Sequence, residues 1–452
     1  MAQPRILIIG NKFQVWHTFI VDSPHSNTLI TGAGVGGLTL AQGLAKHGIK
    51  VTVFEKDLSS GFRAQGYRFR MNPLGSSAIK SVLSEDLFAQ FERTAATTHL
   101  GGTRIKHDGT ILESREGTGV FPGGPSTGRG IPMPRAEETS RAGQHGVFTV
   151  DRTLFRALLL QNLDIRFGKQ AERYTLDAPS KGKVTIHFTD GSSETGDFLV
   201  GADGIRSAIR KQFLPNHIPV DTTGRCIYGK TPITPDLLGK FPKEMHRWMS
   251  MTIDDTGSKP LCLLTEPLYF SEKAKALSTK VLPEPSEDYI YWVLAGTADT
   301  FELPDSRFLH LTPEQTAEHA LKITEKWSPA IHSVIELQTV AQTAPLRVSS
   351  VVPKLPYWDP SPLVTLLGDS VHVMSPTGGV GANTALRDSA ALYEVLKHAF
   401  LENGGKVSTE AIGQYEANMR VYAGEAVERS QQGGVKIYGQ PPFEECKPVD
   451  WL

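Results

Sequence analysis

The chain has 452 residues, 39% of them hydrophobic, and a formal net charge of −1. It can therefore build two substantial cores, and it presents no basic field to draw nucleic acid or a membrane surface. No apolar run approaches the ~20 residues of a membrane span, and the N-terminus lacks a charge–apolar–cleavage pattern, so a soluble, cytoplasmic protein is expected. Cys226, Cys262 and Cys446 are too few and too scattered for a disulfide framework, and neither they nor the histidines show metal-ligand spacing.

Two apolar runs compete to be the first strand. Arg5-Ile6-Leu7-Ile8-Ile9-Gly10 reads as a better buried strand than residues 28–31, but it stands far from the glycines that follow the latter. Removing residues 11–32 would join it directly to Ala33-Gly34-Val35-Gly36-Gly37 as an uninterrupted strand and loop. Residues 11–32 are accordingly read as an insertion, such as a retained coding segment. In the chain as it stands, residues 28–31 are expected to take the first-strand position, with residues 1–27 peripheral.

Gly32-Ala33-Gly34-Val35-Gly36-Gly37 fits G-x-G-x-x-G and opens a helical pattern in Leu38, Leu40, Ala41, Leu44 and Ala45. Gly32 allows a tight turn, Gly34 lets the backbone approach a pyrophosphate, and Gly37 lets helix and strand pack closely. The helix N-terminus then offers free N–H groups and a partial positive charge to the phosphates. The apolar strand 50–55 ends in Glu55, about 20 residues past the glycines, where a carboxylate accepts a hydrogen bond from a ribose 2′-hydroxyl. A free ribose hydroxyl suits NAD or the adenosine half of FAD, and this motif alone does not choose.

Further along, residues 104–112 form a hairpin about Asp108-Gly109. Residues 115–145 are rich in Gly and Pro with little apolar periodicity, which predicts a mobile loop. Val184, Ile186 and Phe188 alternate with polar residues and turn at Asp190-Gly191, a second hairpin. The strand 197–200 leads into Gly201-Ala202-Asp203-Gly204, with Ser207 and Arg210 beyond it. A plain turn at Asp203-Gly204 with Ser207 as a helix cap is one reading of that segment. From 222 to 345 the texture is strand-like at 225–228, 261–265 and 288–295, followed by a helical stretch at 314–327.

The third motif is the most specific. An apolar strand, 364–367, delivers Gly368 and Asp369, and the residues beyond match G-D-x-x-H-x-x-x-P-x-x-G-x-G-x-N-x-x-x-x-D at Gly368, Asp369, His372, Pro376, Gly379, Gly381, Asn383 and Asp388. With these residues the chain resembles the flavoprotein monooxygenases of the para-hydroxybenzoate hydroxylase type. The resemblance implies non-covalent FAD, with Asp369 on the ribityl chain and the backbone of Pro376, Gly379, Gly381, Ala382 and Asn383 beside the isoalloxazine. A helix starting near Ala382 would aim N–H donors at the N1–C2=O edge, where reduced flavin carries negative charge. It also makes Asp203 part of a D-G signature tied to FAD, and matches Arg152 and Arg63 to arginines near the cofactor, with Lys56 following Glu55. Arg225 and Tyr228 lie on the first strand after the D-G motif, where related enzymes point side chains at substrate. His372 is read as a structural hydrogen-bonder.

The implied fold class is α/β, a Rossmann-like FAD-binding domain built from separated segments and interleaved with a smaller β-sheet substrate domain. Residues 1–220 and 346–400 are assigned to the first, 221–345 to the second, and 401–452 to a C-terminal helical segment and tail. The implied function is an FAD-dependent monooxygenase of secondary metabolism. NADPH or NADH reduces the flavin, O₂ adds to give a C4a-hydroperoxide, and its distal oxygen hydroxylates or epoxidises a small aromatic or polyketide-like substrate. No second dinucleotide motif exists, which fits transient docking of the nicotinamide. An FAD oxidoreductase without oxygen transfer and a non-enzymatic flavin-binding protein are the alternatives. The tryptophans lack the W-x-W-x-I-P pattern of flavin halogenases. No metal is expected, and the motifs say nothing of oligomeric state.

Overall fold

The computed structural model describes residues 27–59, 68–116, 146–177, 182–278, 282 and 286–449. In chain order, β1 (Asn27–Thr31), α1 (Val35–Ala45) and β2 (Lys50–Glu55) make an opening βαβ unit, followed by β3 (Arg68–Met71), α2 (Pro73–Val82) and α3 (Glu85–Thr94). Next come β4 (Gly101–Lys106), β5 (Ile111–Glu116), β6 (Phe148–Asp151), α4 (Arg152–Leu159) and β7 (Asp164–Phe167). β8 (Ala171–Leu176), β9 (Val184–Phe188) and β10 (Ser193–Gly196) form a small antiparallel sheet before β11 (Phe198–Gly201) and α5 (Ala208–Phe213). The middle of the chain holds β12 (Val220–Pro232), α6 (Pro235–Lys240), β13 (Ser250–Asp254), β14 (Leu261–Leu268), α7 (Glu272–Ser278), β15 (Tyr289–Thr297), α8 (Asp305–Phe308), α9 (Pro313–Ile323), α10 (Pro329–Glu336) and β16 (Ala344–Ser350). The last segment is β17 (Val364–Leu366), α11 (Asp369–His372), α12 (Gly381–Leu401), α13 (Thr409–Tyr438) and β18 (Lys447–Pro448).

The first sheet is parallel, in the order β17-β11-β1-β2-β7. Its central strands are near-continuous apolar runs because helix α1 and the small β8–β10 sheet both pack against them; every residue of β1 and β11 is buried. β1, β11 and β17 come from three distant parts of the chain, yet they end in register. Thr31 pairs Gly201, and Gly201 pairs Leu366. The residues that follow these ends are the three glycine–acid motifs. A parallel sheet thus brings all three to one carboxyl edge, where open α/β sheets bind ligands.

Residues 28–31 do take the first-strand position. Of the stretch 11–32 read as an insertion, Asn27–Gly32 is this central strand and its turn; the remainder, like residues 5–10, lies outside the described residues. So do Arg63 and residues 117–145 of the expected mobile loop, while Arg115 and Glu116 belong to β5.

The second sheet runs β16-β12-β15-β14-β13-β4-β5, with β18 added beside β12. Its strands reach beyond the span 221–345 assigned to the substrate domain. The hairpin at 104–112 forms, but β4 pairs β13 and so belongs to this sheet, because Ile105 is buried in the same apolar cluster as Leu263 and Trp292. β16 likewise carries the sheet to Ser350. On the far face Ile227, Leu263, Ile290, Trp292 and Leu294 pack under α6, α9 and α10, through Leu237, Ala320, Ile331 and Val334. On the near face, which looks toward the first domain, Cys226, Tyr291 and Val293 meet Tyr438 of α13. Within the segment 401–452 assigned to a C-terminal helix and tail, α13 is packed against the first domain. Its Ile412, Tyr415, Met419, Ala423 and Val427 are buried in the first core.

Among the described residues, no helix is long and apolar enough to cross a membrane.

Candidate cofactor and substrate site

At the carboxyl edge each glycine of the first motif has a distinct steric reason. Gly32 has φ +90°, and a Cβ there would overlap the Ala202 backbone of the neighbouring motif. A Cβ on Gly37 would sit 2.5 Å from the Gly32 carbonyl oxygen, so helix and strand approach only because it is glycine. A Cβ on Gly34 would meet nothing within 4 Å. That open space, at the N-cap of α1, is room for a ligand.

The helix ends near the glycine motifs differ in how they are capped. α2, α3, α4 and α5 are capped by the side chains of Asn72, Ser84, Asp151 and Ser207. α1 follows Gly34 and α12 follows Val380; both lack a side-chain cap and have no acidic residue in the first turn. Their unspent N–H groups and positive dipole ends suit two anionic or electron-rich partners. α12 starts at Gly381, beside Ala382 as expected, after a turn in which Gly379 has φ +62°.

The acids divide into those already engaged and one that is not. Glu55 is buried; its Oε2 accepts the Ala33 N–H at 2.8 Å and its Oε1 the Asp57 N–H at 3.0 Å. It therefore shapes the glycine loop, and the neighbouring Lys56 is exposed. Asp203 accepts from the Ser207 hydroxyl at 2.5 Å and the Ala208 N–H at 2.8 Å, and burial pushes its carboxyl up. Ser207 in turn caps α5. Arg210, buried, donates to the carbonyls of Ile205 and Ser370, tying the second motif to the third. Asp369 is exposed at the start of α11, and among the described residues its carboxylate has no hydrogen-bond partner. It is the acid free to hold hydroxyls of a ligand.

Asn383 and Asp388 position the loop around it. Asn383 Oδ1 accepts the Asn72 N–H at 2.8 Å, and its Nδ2 donates to the carbonyls of Arg70 at 3.0 Å and Gly379 at 3.4 Å. Its side chain is thus committed to protein, leaving its main chain for a ligand. Pro376 begins the preceding turn, where Thr377 donates to the Ser430 carbonyl of α13 at 2.6 Å. His372, read from the sequence as a structural hydrogen-bonder, pairs through Nε2 with Asp388.

On the other side of the site, Arg152 is half-buried at the first turn of α4, near enough to Tyr228 to act on its phenol. One turn later Arg156, which sequence reasoning missed, donates from Nε to the Ala33 carbonyl at 2.8 Å and lies 3.9 Å from Glu55. Its spacing of four from Arg152 was the available signal.

Arg225 corrects the expected substrate-facing pair. It is buried, with Nη1 and Nη2 each 2.8 Å from Asp221 and Nε 2.7 Å from Asp305. Every arm of the guanidinium is used, so it braces the bulge of β12 and has no donor left for substrate. Tyr228 does lie on the near face; its ring stacks on Tyr291 with centroids 6.0 Å apart, and burial holds its phenol neutral, well above the ordinary value.

The same face carries charged residues that sequence reasoning did not single out. Arg68 and Arg70 of β3 both pair with Glu266 of β14, and those two arginines hold its carboxyl low against burial. Tyr289 donates to Asp151 at 2.7 Å, and the Lys230 ammonium lies 3.9 Å from the Tyr289 ring centroid. The period of two from Tyr228 to Lys230 was the signal. Among the described residues no group of His, Cys, Asp and Glu is placed to hold a metal ion.

Comparison with known proteins follows this geometry. The FAD binding domain family model matches residues 25–225 and 316–430. A dual O-methyltransferase/FAD-dependent monooxygenase of Cercospora beticola is 38% identical over 435 residues, 92% of this chain and 47% of that protein. The chain spans about half the length of this relative and of the similar dual proteins. The FAD-dependent monooxygenase thnD of Trichoderma harzianum is 26% identical, over 92% of this chain and 95% of that one. A Photorhabdus luminescens structure described as an FAD containing monooxygenase superposes with a TM-score of 0.70 at 27% identity, covering 90% of this chain and 98% of that one. The open space at Gly34 and the uncapped starts of α1 and α12 are compatible with FAD, and the chain belongs to the FAD binding domain family, with the fold of the flavoprotein monooxygenases of the para-hydroxybenzoate hydroxylase type.

Proposed function

We propose that the chain is an FAD-dependent monooxygenase that draws electrons from NADPH or NADH, consumes O₂, and hydroxylates or epoxidises a small aromatic or polyketide-like molecule in the cytoplasm. The observation that carries this reading is the in-register ending of β1, β11 and β17, which sets the Gly34 opening, the D-G turn and the unengaged Asp369 along one edge. FAD, when bound, supplies hydride acceptance and oxygen activation. The protein's own residues bind, orient and shield. The α1 N-terminus suits the pyrophosphate, Asp369 the ribityl hydroxyls, and the α12 N-terminus the polar edge of the ring. The near face of the second sheet, with Tyr228, Tyr289 and Tyr291, supplies an aromatic wall that excludes water and matches a planar substrate. The names of the dual relatives join methyl transfer to oxygen with monooxygenation, which supports a hydroxyl-bearing substrate here.

Product analysis under ¹⁸O₂ tests the reading, with purified FAD-loaded protein, NADPH and a panel of aromatic and polyketide-like compounds. One ¹⁸O atom in the product is expected. NADPH oxidation with unlabelled product would instead favour an FAD oxidoreductase on the same fold.

A further inference from the structure

We propose that Lys230 is the specificity-determining residue of the substrate site, receiving an anionic oxygen of an aromatic ligand, either a phenolate or a carboxylate. The proposal rests on the monooxygenase reading and names the ligand chemistry that reading leaves open.

Strand register places Lys230. It stands opposite Tyr291 of β15, which stands opposite Glu266 of β14, so the three form one row across the near face. The adjoining row holds Tyr228, Val293 and Leu264. Glu266 is reached by Arg70, whose carbonyl accepts from Asn383 at the start of α12. The row therefore lies on the wall that faces the cofactor loop.

Three observations say that Lys230 awaits an anion. Its ammonium rests on the Tyr289 ring, but among the described residues it makes no hydrogen bond or ion pair. A cation over a ring face uses the charge and leaves the N–H donors unspent. Asp151, which acts on Lys230 through space, makes its hydrogen bonds to other donors: Oδ1 caps α4 through the Leu154 N–H at 2.8 Å, and Oδ2 accepts from Tyr289. The charge balance of the wall is also positive, since Arg68 and Arg70 already share Glu266 and leave Lys230 in excess. Burial lowers the Lys230 pKa, with Asp151 and Glu287 pulling the other way. An ammonium short of acceptors in such a place gains most from a ligand that brings one.

Titration of the FAD-loaded full chain, followed by the absorbance change of bound FAD, tests this without turnover. The probes are 1,8-dihydroxynaphthalene against 1,8-dimethoxynaphthalene, and 2-naphthoate against its methyl ester. Wild type is expected to bind at least one acid roughly tenfold or more tightly than its methylated partner, as a charge-assisted hydrogen bond allows; the pair that shows it tells phenolate from carboxylate. Lys230→Met should abolish that preference with FAD content unchanged, and Lys230→Arg should keep most of it. A wild type without preference in either pair, or a Lys230→Met variant that retains it, overturns the proposal. If Lys230→Met loses FAD, Lys230→Gln is read in its place, and loss of FAD there too would mark a structural lysine and overturn it. The readout needs neither NADPH nor O₂, so failure of oxygen transfer is scored separately.

Discussion

Asp388 and His372 meet at 2.6 Å, Oδ2 to Nε2, with both side chains wholly buried. The same oxygen accepts the Gly368 N–H at 2.8 Å, and Oδ1 accepts from the Tyr422 hydroxyl at 2.7 Å. One carboxylate thus locks α11, α12 and α13 together directly behind Asp369. Asp388→Asn should cost about 3 kcal/mol of stability, since breaking a buried pair strands its partner. Urea unfolding of the FAD-free protein measures it, and a loss within error of zero would remove Asp388 from this role.

The same pair sets a pH dependence. Burial disfavours charged His372, but Asp388 outweighs it and raises the histidine's pKa. A raised folded-state pKa contributes stability that is complete below the unfolded value, about 6.5, and is lost as pH rises through the folded value. His372→Gln should therefore flatten the decline of stability above about pH 6.5, read from urea midpoints across that range.

Asp369 is the converse case, a side chain without a hydrogen-bond partner among the described residues and proposed to hold the ribityl chain. Asp369→Ala should weaken FAD by about 10–150-fold, the worth of a charge-assisted hydrogen bond, and leave the melting temperature of the FAD-free protein unchanged. Fluorescence titration of the apoprotein checks the first and a thermal scan the second. Wild-type affinity in the variant would end its assignment to the ribityl chain.

Glu55 combines both kinds of role. Because it accepts the Ala33 N–H, Glu55→Ala should destabilise even the FAD-free protein by about 1–3 kcal/mol, the cost of a stranded buried donor. It should weaken FAD as well. A variant with a normal apoprotein melt and poor FAD binding would leave the ribose contact as its sole task.

Arg225→Ala should act on folding and not on chemistry. Its ion pairs with Asp221 and Asp305 brace β12, and their loss should cost about 3 kcal/mol. kcat/KM per folded molecule should stay near wild type. A large fall in that ratio with an unchanged melt would restore Arg225 to the substrate site.

Much of the cofactor half was legible in the residues themselves. The conformations at Gly32, Gly37 and Gly379 and the helix starts after Gly34 and Val380 could be read because they are local: a left-handed φ, a close backbone approach, a helix N-terminus. Each is encoded by neighbours within a few residues, so spacing alone reports it. The substrate half was not legible in the same way. Arg225 looked available until the fold set Asp305 beside it, 80 residues away. Lys230, Tyr289 and Asp151 became a cluster only when β15 paired β12 and β6 came up against their face. The hairpin at 104–112 was visible, but its sheet was not, since β4 is held by strand β13 far along the chain. Local backbone geometry is written in sequence spacing. The partner of a long side chain is set by strand register and by which sheet face meets which domain, and those are decided only when the whole chain has packed.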